Sequence, residues 1–211
     1  HSGMNFLGVN AVEAMVPILN ELLALKAEVE QRESSVPTIP LLKSMGAPSD
    51  KMTPMFNLAI IKGGTKSNIV PSECEVTINR RYIPEEKYED IVREIQEAVE
   101  RGKAQSKALD VEVKFAHCYP ALKLDLQSPY LKRMREALQA VKGYKEEDIL
   151  YAGISGSTDM GFVAEVLKGI HFVMVGPAAF DNFSAAHAAD EWIRIDDLLN
   201  MTKQLVHYLA L

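Results

Sequence analysis

The sequence predicts an α/β protein in two parts: a two-layer, split β-α-β (ferredoxin-like) domain, then a segment in which strands alternate with helices. The run "FNLAIIKGG" indicates a strand that ends at a glycine pair. The run "CEVTINRRY" indicates a second strand with Cys74, Val76 and Ile78 on one face, because successive side chains of a strand point to opposite faces. The stretch "PEEKYEDIVREIQEAVERGK" has apolar residues at helical spacing and indicates a helix after them. We expect a boundary near residues 118–121, with domains at 1–118 and 119–211.

The first part opens with a predicted helix. Apolar residues recur at helical spacing over residues 12–23, and Asn10 with Glu13 three positions later has the spacing of a capping box. Pro17 lacks a backbone donor, so we expect either a kink at this position or a helix that begins later. Residues 34–54 are rich in Ser, Pro and Gly and predict a long loop.

Further strands and helices follow. The run "DVEVKFA" predicts a third strand, which makes the order that of a split β-α-β unit lacking its opening strand. In the second part, Ser128 and Pro129 predict the N-cap and first residue of a helix. The runs "ILYA" and "HFVMV" predict buried strands with a helix between them, and a last helix is expected from Ile195 to about Leu209. This alternation is typical of a mainly parallel α/β layer.

The composition is that of an ordinary globular protein, with 47% hydrophobic and 25% charged residues. The net charge is −6 and no block of basic residues is present, so nucleic acid is not predicted as a partner. No apolar run approaches about 20 residues and no signal peptide opens the chain, so no membrane partner is predicted. Cys74 and Cys118 fit neither a disulfide framework nor a zinc knuckle, and we expect a reducing, cytoplasmic location.

His187, in the stretch "SAAHAADEW", is a candidate metal ligand. A neutral imidazole is a common metal ligand, and the small residues around it would let a metal ion approach. A surface histidine in a polar loop has the same local sequence, so the pattern alone leaves both interpretations open.

The turn "SGSTD" is a candidate binding loop for an anionic group. It lies between a predicted strand and a predicted helix, and it offers backbone N–H groups and hydroxyls from Ser155, Gly156, Ser157 and Thr158. It is neither a G-x-S-x-G nucleophile turn nor a phosphate loop, which needs a Lys after its second Gly. A tight turn with a helix cap explains the same residues.

Asn68 and Arg81 are candidate ligand-binding residues beside the predicted strands. Asn68 lies in the connection "GGTKSNIVP", Gly63 to Pro71, where its amide could meet a ligand or simply belong to a hairpin turn. Arg81 ends the second strand on the face opposite its apolar residues. A guanidinium there suits bidentate capture of a carboxylate, although a solvated surface charge has the same pattern.

Four stretches together resemble the zinc-dependent amidohydrolases that include succinyl-diaminopimelate desuccinylase, acetylornithine deacetylase, aminoacylase and glutamate carboxypeptidase. They occur in the family's order: "HSGMNFLGVNAVEAM", "IIKGGTKSNIVPSECEVTINRRYIPEE", "GSTDMGF" and "GPAAFDNFSAAHAADEWIRIDDL". The start "HSGM" would also suit the remnant of an expression tag. The first match begins at His1, however, which favours His1 as a native residue.

The resemblance implies a lid, or dimerisation, domain followed by the C-terminal part of a catalytic domain, with the family's other metal ligands expected before His1. His187 matches the metal ligand that the C-terminal half supplies. His1 resembles the lid histidine that crosses a dimer interface to stabilise the oxyanion in the partner's active site. Asn68 and Arg81 match lid positions that bind substrate carboxylate or acyl oxygen, and residues 155–159 match the glycine-rich substrate loop.

The resemblance further implies metal-assisted hydrolysis of the amide bond in an N-acyl amino acid by a homodimer. One or two zinc ions, with cobalt or manganese as substitutes, lower the pKa of a bound water, a Glu acts as base, and lid donors hold the oxyanion. That Glu is not found in this chain, so we expect the chain to be inactive alone.

Two departures from the family pattern leave the substrate open. Asn79 stands where family members often have Asp, and Gly161 stands where desuccinylases usually have Arg. A dipeptidase or carboxypeptidase of the same family remains an alternative, as does a non-catalytic dimerisation or binding module.

Overall fold

A computed structural model of the chain describes residues 1–177 and 188–210. Their secondary structure is mixed, with helices and one two-stranded antiparallel sheet. The first part contains a 3-10 helix at Ser2–Leu7, α1 at Ala11–Val29, α2 at Pro40–Ser44, β1 at Met55–Gly63, β2 at Cys74–Arg81 and α3 at Tyr88–Ala104. The second part contains α4 at Pro129–Lys142, a 3-10 turn at Glu146–Asp148, α5 at Met160–Val166 and α6 at Ile195–Ala210.

The chain divides into two compact units. The first comprises residues 1–38, 48–121 and 153–157, and the second comprises residues 39–47, 122–152 and 158 onward. The short segment 153–157 therefore belongs with the first unit although it lies far along the chain. In the described part of the chain, no helix is both long and apolar enough to cross a membrane.

The first unit has two layers, with α1 and α3 packed on one face of the β1–β2 hairpin. The strands pair from Met55 opposite Arg81 to Gly63 opposite Cys74, with one register irregularity near Leu58. Apolar residues of α1 and α3 form the core with Phe56 of β1. The predicted α3 pattern is confirmed, whereas the one predicted over residues 12–23 is confirmed only at Leu22, because Val12, Val16 and Leu23 are exposed. The buried members are Ile18, Leu22, Leu25, Val29, Phe56, Ile91, Ile95, Ala98 and Val99.

The start of α1 confirms Asn10 as the N-cap, but the reciprocal bond from the Asn10 backbone to Glu13 that defines a capping box is replaced by a bond from the Asn10 side chain. The Asn10 side-chain oxygen accepts from the backbone N–H groups of Val12 (3.0 Å) and Glu13 (3.2 Å), and its amide donates to the Glu13 carboxylate. The expectation of a later start because of Pro17 is wrong, since the helix begins at Ala11 and continues through this proline. We attribute this to the cap and to the buried α1 side chains, which together offset one missing hydrogen bond.

The two helices of the first unit approach closely at Gly102 of α3. A Cβ atom at this position would lie 2.4 Å from the Cα atom and 2.9 Å from the backbone nitrogen of Ile18. Only glycine fits at position 102 while the α1 and α3 backbones are this close. The absence of a side chain at Gly102 therefore allows the close packing of α1 and α3.

The structure contradicts three of the predicted strands. Among the described residues, the runs "DVEVKFA", "ILYA" and "HFVMV" are not part of any sheet. Val111 and Phe115 of the first run pack against the core, but Val113 is 37% exposed. A strand needs a neighbour for its backbone hydrogen bonds, and in a split β-α-β unit the last strand lies beside the opening one, which is not found among the described residues. The predicted parallel layer is likewise not formed by the described residues of the second unit.

The second unit is held by the packing of α4 against α6. Pro129 begins α4 as predicted, and Gly143 ends it with a positive φ of 71°, a conformation that favours glycine. Asp197 of α6 accepts hydrogen bonds from Lys142 of α4 and from Arg194, at 3.2 and 2.7 Å. The bond from Lys142 holds the end of α4 to the beginning of α6, and the bond from Arg194 is local to the start of α6.

Candidate functional site

His1 and Asn68 lie together at the turn end of the β1–β2 hairpin. The backbone N–H of Ser2 donates to the carbonyl oxygen of Asn68 at 3.0 Å. The imidazole of His1 caps the first 3-10 helix, because its Nδ1 atom accepts from the backbone N–H of Gly3 at 3.1 Å. Both His1 and Asn68 are exposed, so an imidazole donor and a side-chain amide are accessible at this end of the unit.

Arg81 lies at the other end of β2, beside the segment 153–157. Its guanidinium donates to the carbonyl oxygen of Ser155. Gly153 anchors this segment, since its N–H donates to the carbonyl of Pro37 at 2.8 Å and it forms a parallel bridge with Thr38. The glycine-rich turn and the strand arginine, which are far apart in sequence, are therefore in contact in the fold.

Arg81 and its neighbour Arg80 have different environments. The Arg80 side chain is only 7% exposed and pairs with Glu86 at 2.5 Å, and Glu86 also binds Arg32 at 2.9 Å. Arg81 is exposed on the opposite face, as the strand alternation predicts. The charge of Arg80 is thus paired with a carboxylate, whereas among the described residues the Arg81 guanidinium donates to a neutral carbonyl oxygen.

The remaining residues of the turn are divided between the two units. Gly156 and Ser157 are exposed and belong to the first unit. Thr158 belongs to the second, where its hydroxyl accepts from the backbone N–H of Met160 at 3.3 Å at the beginning of α5. The residue at the N-cap position of α5 is Asp159, and its side chain makes no capping hydrogen bond, so the structure does not confirm a helix cap as the role of this turn.

Glu85, close in sequence to Arg80, is the centre of a hydrogen-bond network that was not predicted from the sequence. Glu85 accepts from the Ser34 hydroxyl and from both the hydroxyl and the N–H of Ser35, at 2.7 to 3.0 Å. These bonds, chiefly the one from the Ser35 hydroxyl, lower the pKa of Glu85 to about 2. The only sign of this network in the sequence is the acidic pair in "PEEK". The serine residues that bind Glu85 lie about fifty positions away, so local sequence does not indicate them.

The described residues do not supply a metal site. No group of three or more His, Cys, Asp or Glu side chains within 1–177 and 188–210 is arranged to hold an ion. His187, the predicted ligand, lies outside the described residues. His117, within them, instead stacks on Tyr88 and contacts the Tyr82 hydroxyl at 2.8 Å. We therefore derive no chemical step through a metal from these residues.

The candidate residues form two groups at opposite ends of β2. His1 and Asn68 lie beside the hairpin connection that precedes Cys74, and Arg81 with Ser155 lies where the strand ends. A strand of this length spans about 23 Å at a rise of about 3.3 Å per residue. A single small substrate in one protomer would therefore not contact both groups at once.

Comparison with known proteins assigns the first half of the chain to a protein family. A family model described as a peptidase dimerisation domain matches residues 1–107. A deformylase of Halalkalibacterium halodurans that acts on N-formyl-4-amino-5-aminomethyl-2-methylpyrimidine is 26% identical, over 99% of this chain and 47% of that protein. A probable succinyl-diaminopimelate desuccinylase of Staphylococcus epidermidis is also 26% identical, over 95% of this chain and 49% of that protein.

One solved structure has the same fold. The M20 family metallo-carboxypeptidase of Sulfolobus solfataricus superposes with a TM-score of 0.68 at 18% identity, over 99% of this chain and 54% of that one. The chain thus spans about half the length of the proteins that it matches.

Proposed function

The chain belongs to the M20 peptidase family, whose dimerisation domain it carries at residues 1–107, and we propose that it forms part of an amidohydrolase acting on N-acyl amino acids. Its relatives include a deformylase and a probable desuccinylase, two enzymes named for removing an acyl group. We propose that residues 1–118 form the lid, a ferredoxin-like unit, and that residues 119–211 contribute to the catalytic domain. The packing of α1 and α3 on the β1–β2 hairpin supports the first assignment.

The observation that carries the proposal is the exposed guanidinium of Arg81 at the end of β2. Arg80 is neutralised by Glu86, so Arg81 is the guanidinium of this pair that is available to the α-carboxylate of an N-acyl amino acid. Its contact with the carbonyl oxygen of Ser155 holds the glycine-rich turn beside it, which supports a shared role of the turn and this cation in binding an anion. A bidentate pair with a carboxylate would replace the single bond to the Ser155 carbonyl.

His1 is proposed as the donor that stabilises the oxyanion during amide hydrolysis. The length of β2 separates it from Arg81, which supports a role in the active site of a second copy. The match to a dimerisation domain supports a homodimer in which each copy lends its His1 to its partner. Asn68, beside His1, is proposed to bind the acyl oxygen from the same side.

Zinc is the proposed metal, with cobalt or manganese as substitutes, and His187 is the ligand that this chain would contribute. The solved relative is named as a metallo-carboxypeptidase, which supports a metal in the longer protein. A single histidine does not complete a four-coordinate zinc site, so we expect the other ligands outside the described residues. A cytoplasmic location remains a prediction from cysteine use.

A dipeptidase or carboxypeptidase activity is the second candidate, favoured by the similarity in fold to the Sulfolobus solfataricus enzyme. A C-terminal carboxylate would suit Arg81 as well as the carboxylate of an N-acyl amino acid does. A dimerisation or binding module without catalysis is the third, and it would need none of the exposed polar groups described above.

One assay separates these candidates. The longer parent protein, loaded with zinc or cobalt, is tested against N-formyl, N-acetyl and N-succinyl amino acids and against dipeptides, with Arg81→Ala and Arg93→Ala compared. We expect hydrolysis of an N-acyl amino acid, with kcat/KM lowered roughly 10- to 100-fold by Arg81→Ala, because a charged hydrogen bond to the carboxylate is lost. The Arg93→Ala control should retain full activity. Turnover of dipeptides alone would favour the second candidate, and no turnover of any substrate would favour the third.

A further inference from the structure

The hydrogen bond between His1 and Gly3 determines which imidazole nitrogen carries a proton. A backbone N–H always donates, so the Nδ1 atom that lies 3.1 Å from the Gly3 nitrogen must accept. A neutral imidazole has one acceptor and one N–H donor. The proton of neutral His1 is therefore on Nε2, on the side of the ring away from the Gly3 backbone.

Gly3 is also the residue that leaves room for this ring. A Cβ atom at position 3 would lie 3.2 Å from Nδ1 and 3.4 Å from Cε1 of His1, closer than ordinary van der Waals contact. The backbone on both sides of Gly3 is fixed, because Ser2 donates to Asn68 at 3.0 Å and Met4 donates to the carbonyl of His1 at 2.9 Å. A side chain at position 3 would therefore displace the ring by a few tenths of an ångström, which lengthens and weakens this hydrogen bond.

We propose that Gly3 is a positioning residue that sets the tautomer and orientation of His1, so that the Nε2–H group is presented as a donor. This inference rests on the proposed role of His1 toward an acyl oxygen. A donor stabilises an oxyanion most effectively when its orientation is set before the reaction. With the proton on Nδ1 instead, the outward nitrogen would be an acceptor and would repel a developing negative charge.

Gly3 acts only through His1. Its N–H contributes the hydrogen bond and its missing side chain contributes the space, and these two contributions can be removed separately. Gly3→Pro removes the N–H, and Gly3→Ala keeps the N–H but adds the crowding Cβ atom. Gly8→Ala is the matched control, because a Cβ atom there would lie 3.8 Å from Val70, in ordinary contact, and no atom of His1 lies within 4 Å of it.

The test is nitrogen-15 NMR of the chain labelled at histidine, near pH 8.5, about two units above the ordinary pKa of histidine. His1→Gln identifies the His1 resonances. In the folded chain we expect the ratio of Nε2–H to Nδ1–H tautomers of His1 to be about two- to tenfold higher than in the same chain unfolded in urea, the effect of one neutral hydrogen bond. Gly3→Pro should return the ratio to the unfolded value, Gly3→Ala should lower it, and Gly8→Ala should leave it unchanged.

The proposal is overturned by a folded ratio equal to the unfolded one, or by a ratio that Gly3→Pro leaves unchanged. In a second sample labelled uniformly with nitrogen-15, the amide chemical shifts of Met4 and Phe6 report whether the 3-10 helix persists. Where the proline unwinds it, Gly3→Ala decides: a lowered ratio supports the proposal, and an unchanged ratio overturns it. The measurement needs neither substrate nor metal, so failure of the amidohydrolase assay with a confirmed tautomer would count against the proposed function and not against the role of Gly3.

Discussion

The guanidinium of Arg81 donates a hydrogen bond to the carbonyl oxygen of Ser155, 74 positions further along the chain. This bond joins the end of β2 to the segment 153–157, which also binds the loop residue Pro37 through Gly153. A residue proposed to bind substrate and the turn proposed to surround that substrate are therefore coupled before any ligand arrives.

Loss of this bond should loosen the segment. We expect Arg81→Ala to raise the hydrogen-exchange rate of the Gly153 amide about two- to tenfold, because the neighbouring anchor to Pro37 opens more often. Arg93→Ala removes an exposed arginine that pairs with Asp90 on α3 and should not change this rate. Equal exchange of Gly153 in both variants would contradict the coupling.

The proposed exchange of His1 between two copies predicts complementation. His1→Ala and Arg81→Ala variants of the parent protein should each be strongly impaired as homodimers. When the two are mixed and allowed to exchange subunits, about a quarter of the wild-type activity should return, since half of the dimers are mixed and each has one intact site. The measurement is steady-state turnover before and after exchange. No recovery, with mixed dimers demonstrated by mass spectrometry, would place His1 in the site of its own protomer.

The close contact of Gly102 with Ile18 predicts an effect on stability. Gly102→Ala should lower the free energy of unfolding by about 1–3 kcal/mol, because α1 and α3 must separate to admit the methyl group. Helix propensity alone would favour alanine by about 1 kcal/mol, so the sign of the change decides between packing and propensity. Gly176→Ala, which would meet no atom within 4 Å, is the control in urea denaturation. A stabilised Gly102→Ala variant would show that the two helices are not held at this distance.

The bonds from Ser34 and Ser35 to Glu85 predict a pH dependence of stability. The pKa of Glu85 is about 2 in the folded chain and near 4.5 when it is unfolded. A lowered pKa stabilises the fold above pH 4.5, and this contribution is lost as the pH falls from 4.5 to 2. Because Glu85 is exposed and its interactions are screened, we expect the contribution to be about 1 kcal/mol or less.

Glu85→Gln should therefore be less stable than the wild type at pH 7 and equally stable near pH 2. The check is urea denaturation as a function of pH, with Glu100→Gln on the exposed side of α3 as the control. The prediction would be contradicted if the difference in free energy of unfolding between Glu85→Gln and wild type stayed constant from pH 7 to 2. The hydrogen bonds from Ser34 and Ser35 would then not depend on the charge of Glu85.

Elements with a strong local pattern were predicted correctly. The presence of β1, the alternation in β2, the apolar positions of α3 and the Asn10 cap of α1 all recur in the structure. Such signals depend on residues within one or two turns or along one strand, so the sequence contains them in full. Alternation also predicted the exposed face of Arg81, which is the part of the candidate site that local sequence can encode.

The sequence by itself determined the hairpin, the helices that cover it and the residue types of the candidate site. Only the tertiary structure decided that Arg80 is paired with Glu86 while Arg81 meets the turn at Ser155, and that His1 lies with Asn68 at the other end of β2. The tertiary structure also shows that "DVEVKFA" pairs with no strand among the described residues. The physical reason is that helix periodicity and caps are satisfied locally, whereas a strand or an ion pair needs a second group whose position depends on how the whole unit folds.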